Sequence, residues 1–114
     1  MSRVLVTGGT GILGTELRPR LDAAGYAVRI MSRRAPQPGE DAGVEWAQAN
    51  INTGDGLPAA VRDVDTIIHA ASAGFGDSYR ADVQGTRRLL EAASEAGVGH
   101  FIYISIVGID RIDY

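Results

Sequence analysis

The sequence contains no cysteine. That excludes a disulfide framework, a thiolate nucleophile and a cysteine-based zinc site. It contains no lysine either, because arginine accounts for all 11 basic side chains. No run approaches the roughly 18 apolar residues that a membrane span needs. Met1-Ser2-Arg3 is followed by only Val4-Leu5-Val6 before glycines begin, too short a stretch for the apolar region of a signal peptide. Positive charge is not in excess: the formal net charge is −3, so nothing points to nucleic acid or a membrane surface as a partner. The expected location is cytoplasmic. Asp55, Asp63, Asp65 and Asp77 show no metal-ligand spacing, and no metal is expected.

What is present is ordinary for a globular chain. Hydrophobic residues make up 45% of 114 positions, enough for one domain spanning 1–114 with a small core. There are 15 glycines, and their placement carries more information than their number.

Apolar runs alternate with helical patterns. The spacing predicts strands over Arg3–Val6, Ala27–Met31, Val44–Ala47, Thr66–His69 and His100–Val107. Continuous apolar runs of about four to eight residues fit strands covered on both faces. Leu13, Leu17, Leu21 and Ala24 recur at helical spacing, with Gly25 placed to end the helix and Pro19 expected to bend it. Val83, Thr86, Leu90, Ala93 and Gly97 form a second helical stripe within 78–96, and a short helix is expected over Leu57–Arg62. Ala35–Gly43, with two prolines, reads as a surface loop. Strands alternating with helices predict an α/β, three-layer Rossmann-type fold. Its five-stranded parallel sheet would have the order 3-2-1-4-5 with helices on both faces, and its binding crevice would lie between strands 1 and 4.

The first strand runs into Thr7-Gly8-Gly9-Thr10-Gly11-Ile12-Leu13-Gly14. A tight strand-to-helix turn needs positive φ, which glycine tolerates. A pyrophosphate must approach bare backbone N–H groups at a helix N-terminus, and the last glycine lets that helix pack close to the sheet. Gly8, Thr10, Gly11, Ile12, Leu13 and Gly14 are therefore the candidate phosphate loop, and the hydroxyls of Thr7 and Thr10 can add hydrogen bonds. No Gly-Lys-Ser/Thr follows, which argues against a P-loop. An NAD site usually carries a carboxylate at the end of strand 2, about 20 residues past the glycines. Here that position reads Ser32-Arg33-Arg34. Two guanidiniums and a hydroxyl suit the 2′-phosphate of NADP, so NADP is favoured over NAD. Arg33 is the expected reader, and Arg34 is expected to face solvent.

These motifs, with AASAG after strand 4 and DVQGTRRLLEAA followed by HFIYIS, resemble the atypical and extended short-chain dehydrogenases/reductases. The nearest look is to the NmrA-like NAD(P)-binding proteins, and the resemblance covers essentially the whole chain. It implies backbone contact of Ile12 with the phosphates. It also implies adenine-flanking positions at Asn50 and Ile51, where Asn50 replaces the usual Asp. Ala70, Ala71 and Ser72 match the small-residue loop beside the cofactor ribose. His69 matches a structural or cofactor-lining position, Trp46 reads as core, and Arg87-Arg88 as a solvated helix face.

The departures concern catalysis. Family reductases use a Ser or Thr after strand 5 and a Tyr-x-x-x-Lys pair beyond it. Ser105 matches the first polar position, Ile106 stands where the catalytic hydroxyl is more usual, and no lysine follows Tyr114. Ser105 is thus the one weak catalytic candidate. The resembled fold also adds strands and a substrate-binding region past strand 5. A truncated reading frame, a natural half-Rossmann unit and a homodimer covering the strand-5 side are the three expectations for the apolar edge HFIYISIVGI. Two functions stay open: the cofactor half of an NADP-dependent oxidoreductase or epimerase, and a non-catalytic dinucleotide-sensing or regulatory module. A mononucleotide-binding domain using only the first βαβ is a third.

Overall fold

Five short apolar runs pair side by side in one parallel sheet. The computed structural model describes residues 2–8, 12–71 and 77–105. In chain order the elements are β1 (Arg3–Thr7), α1 (Ile12–Ala23), β2 (Ala27–Ser32), β3 (Glu45–Gln48), α2 (Leu57–Ala60), β4 (Thr66–Ala71), α3 (Asp77–Ala96) and β5 (His100–Ser105). The sheet order is β3-β2-β1-β4-β5, as the alternation of strands and helices implied. Register is continuous across the centre: Leu5 lies beside Arg29 and Ile67, and Ile67 beside Phe101. The strand limits differ from expectation by a residue or two, and α2 ends at Ala60 instead of Arg62. The part of the fifth run beyond Ser105, including Ile106, lies outside the described residues.

Alternation of side chains along each strand splits the core in two. Leu5, Met31 and Ile67 face α2 and α3, where Leu57, Ala60, Val61, Leu89 and Ala93 close over them. Val4, Val6, Val28, Ile30 and Ile68 face the other way, against Leu17 and Leu21 of α1. The central strand β1 is thus covered on both faces, the property its unbroken apolar run encodes.

Both long helices end in the same hydrogen-bonded motif. After α1, Gly25 N–H donates to Asp22 O (3.0 Å) and Tyr26 N–H to Leu21 O (3.1 Å), with Gly25 at φ +92°. After α3, Gly97 N–H donates to Ser94 O (3.2 Å) and Val98 N–H to Ala93 O (3.0 Å), with Gly97 at φ +78°. These paired bonds satisfy helix carbonyls that would otherwise lack partners. Gly97 is therefore a helix terminator and not part of the apolar stripe. Ala93 of that stripe is buried as expected, but its large apolar members are out of phase: Val83 and Leu90 are 44% and 45% exposed, while Leu89 is fully buried. The buried line is Gly85, Leu89 and Ala93, at intervals of four.

Candidate functional site

The carboxyl ends of β1, β2 and β4 lie side by side, which brings the predicted segments to one edge of the sheet. Thr7 ends β1 and is buried, and the chain then turns through Gly8 at φ +69°. Only glycine adopts this conformation without steric cost. Ile12 and Leu13 form the first turn of α1, and Gly14 behind them is buried. Gly9, Thr10, Gly11 and Ser72 lie outside the described residues, while Ala70 and Ala71 end β4. An exposed left-handed glycine, a helix starting close behind it and a buried glycine in its first turn fit a pyrophosphate cradle.

Thr7 does not simply offer its hydroxyl to the crevice. Its Oγ1 shares a hydrogen bond with Nδ1 of buried His69 (2.5 Å), and His69 Nε2 shares another with Oγ1 of Thr86 on α3 (2.9 Å). A neutral imidazole carries one donor and one acceptor nitrogen, and each hydroxyl serves either role, so both ring nitrogens are satisfied. His69 also packs beside Phe101 and Tyr103, at 6.1 and 5.5 Å between ring centroids. It joins the strand leading into the glycine turn to α3 and β5, a structural role. Its signal in the sequence was a lone polar residue at the end of an apolar strand.

At the end of β2 the two arginines have different surroundings. Arg33 is exposed, and among the described residues it forms no ion pair. Arg34 is exposed, as expected, but is also held. Its Nη1 and Nη2 donate to Oε1 and Oε2 of Glu40, both at 2.7 Å, and its guanidinium lies 5.7 Å from the Trp46 ring centroid. The Arg34 fork, helped by the Gln37 N–H, pulls the Glu40 carboxyl down to about 2. The physical reason for the difference is geometric: a planar guanidinium finds both carboxylate oxygens and an aromatic face within reach. Ser32 Oγ accepts the Arg34 N–H at 3.3 Å.

Asn50 begins a turn after β3. Its Oδ1 accepts the Asn52 N–H at 2.9 Å, and its main-chain carbonyl accepts the Gly54 N–H at 2.8 Å. Ile51 packs so closely on α3 that a Cβ on Gly85 would meet its Cγ1 and Cγ2 at 3.1 Å. Arg88, expected on a solvated face, is partly buried and donates to Ile51 O at 3.4 Å. Trp46 packs beside the α1-side core, as expected, with its Nε1–H donating to Arg34 O at 3.0 Å. Ser105 ends β5, and nothing further of it is described. A separate groove of about 370 Å³, lined by residues including Val61, Arg62, Ala92 and Glu95, lies between α2 and α3 and contains none of the predicted site residues.

Residues 4–108 match the model of the NAD dependent epimerase/dehydratase family. The chain belongs to that family. A 3 beta-hydroxysteroid dehydrogenase/Delta 5-->4-isomerase of Mycobacterium tuberculosis is 37% identical over 117 residues, covering 92% of this chain and 32% of the relative. A putative dihydroflavonol 4-reductase of Synechocystis is 34% identical, covering 90% and 32%. Among solved structures, a short-chain dehydrogenase/reductase superfamily protein of Agrobacterium tumefaciens with bound NAD superposes with a TM-score of 0.72 at 32% identity, covering 89% of this chain and 31% of that one. A uronate dehydrogenase variant of the same organism, complexed with NAD, superposes at 0.76 with 27% identity, covering 92% and 41%. This epimerase/dehydratase-family domain therefore spans about a third of the length of the curated relatives it matches.

Proposed function

We propose that this domain binds NADP as the cofactor-holding part of an oxidoreductase. The observation carrying the choice of NADP is the end of β2. Exposed Arg33 and the hydroxyl of Ser32 stand there, residues 32–34 include no carboxylate to grip a free ribose, and the nearby Glu40 carboxylate is paired with Arg34. In this reading the Gly8 turn, Gly11 and the first turn of α1, through Ile12, Leu13 and Gly14, hold the pyrophosphate. Thr10 adds a hydroxyl. Asn50 and Ile51 flank the adenine, with Ala70, Ala71 and Ser72 against the ribose. When bound, the cofactor supplies hydride chemistry; the residues of this chain hold and orient it. The names of the relatives suggest a hydroxyl or carbonyl carbon as the reacting centre of the whole protein. An NmrA-like affiliation, a cytoplasmic location and pairing of two copies along β5 accompany this reading.

Titration with NADPH and NADH, followed by fluorescence or calorimetry, tests it. Arg33→Ala is expected to weaken NADPH about tenfold, the worth of one charge-assisted hydrogen bond, and to leave NADH unchanged. Equal affinities in the wild type, unaffected by the substitution, would falsify the NADP assignment.

A second reading is a dinucleotide-sensing module without turnover. Ile106 favours it, because it stands where the resembled reductases more often carry the catalytic hydroxyl. Consumption of NADPH with any member of a carbonyl panel would overturn that reading.

A further inference from the structure

Glu40 sits in the middle of the loop between β2 and β3, yet it is tied to three places at once. Its carboxylate takes the bidentate fork of Arg34 and also accepts the Gln37 N–H at 2.8 Å. Its main-chain carbonyl accepts Nη2 of Arg18 on α1 at 2.7 Å. The loop is thereby fastened to the helix that follows the glycine turn. From the other side, β3 fixes the main chain of the two arginines. Trp46 Nε1–H donates to Arg34 O at 3.0 Å, and Gln48 Nε2–H donates to Arg33 O at 3.2 Å. Both carbonyls are held by side chains of the neighbouring strand, and Arg34 is committed to Glu40 and to the face of Trp46. Arg33 is left with its carbonyl held and, among the described residues, a guanidinium in no ion pair.

We propose that Glu40 is a positioning residue for cofactor choice: by occupying Arg34 and anchoring the loop, it makes Arg33 alone the reader of the 2′-phosphate. The inference rests on the NADP reading above and goes further, because it assigns unlike roles to two adjacent arginines. A bidentate pair holds both direction and distance, which a single-point contact does not. The carboxyl is held at about 2, so the clamp stays charged across the whole pH range in which nucleotides are handled.

The experiment measures dissociation constants for NADPH and NADH on the wild type, Arg33→Ala, Glu40→Gln and the double variant. Glu40→Gln is expected to weaken NADPH about three- to tenfold and to leave NADH unchanged. The double variant is expected to be no worse than Arg33→Ala, since Glu40 acts through Arg33. Arg34→Lys, which keeps the charge but loses the fork, should shift selectivity in the same direction by less. Tighter NADPH binding by Glu40→Gln would mean that a released Arg34 reads the phosphate, and the proposal would be wrong. An unchanged NADPH-to-NADH ratio, or equal weakening of both, would also overturn it. The wild-type and Arg33→Ala arms report separately on NADP: if they show no preference, both readings fall, whereas a preference lost in Arg33→Ala and kept in Glu40→Gln removes only this one.

Discussion

Gly56 and Gly25 both adopt left-handed backbone, at φ +79° and +92°, yet their surroundings differ. A Cβ on Gly56 would stand 2.6 Å from the main-chain oxygen of Gln48, at the end of β3, whereas one on Gly25 would meet nothing within 4 Å. Gly25→Ala is therefore expected to cost only the conformational penalty, about 1 kcal/mol. Gly56→Ala adds a collision with backbone that has no flexible tip to move, and about 3 kcal/mol or more is expected. Equilibrium denaturation of the two variants checks the order; equal losses would show that the β3–α2 junction yields freely. The sequence made Gly25 legible, because it follows an amphipathic stripe. Gly56 was not legible, because what forbids a side chain there is a strand end brought close by folding. Arg34 repeats the lesson. Its partner Glu40 is six residues along a loop with no periodicity, so no spacing rule distinguishes the held arginine from the free one.

At the scale of elements, strands were easier to read than the phase of a helix. The inner strands β1, β2 and β4 are short, mainly apolar runs, and cover on both faces leaves little phase to choose. In α3 the stripe had several solutions, because alanine and glycine occupy many positions and large apolar residues stand at both 89 and 90. The close approach of α3 to Ile51 selects the face carrying Gly85, and with it Leu89 and Ala93. Leu89→Ala is expected to destabilise the domain by about 2–5 kcal/mol, the usual cost of emptying a fully buried leucine site. Leu90→Ala should fall within about 0.5 kcal/mol of the wild type, since this side chain is 45% exposed and alanine favours the helix. Chemical denaturation midpoints of the pair decide between the two faces. The reverse ranking would restore the stripe read from sequence alone.

The fold places its candidate site loops at one edge of a sheet whose outermost described strands differ in character. β3 is short, ends in Glu45 and Gln48, and is engaged with the Arg34 loop. β5 is longer and apolar, and shows Ile102 and Tyr103 47% and 49% exposed on opposite faces. A strand edge with apolar side chains on both faces is a template for further pairing. Charge gives little protection, because the described residues of β5 include only the histidine at its start as an ionisable group besides tyrosine. The 114-residue chain is therefore expected to self-associate along β5, with Ile102 of each copy buried in the contact. Light scattering at micromolar concentration should give a mass of twice the monomer or more. Ile102→Asp should return it to the monomer, because burying an unpaired carboxylate in that contact costs several kcal/mol. NADPH affinity should be unchanged by the same substitution, since the proposed reader Arg33 is on β2's far side of the sheet from β5. A monomeric wild type at that concentration would show that this apolar edge, despite its exposure, does not hold a second copy.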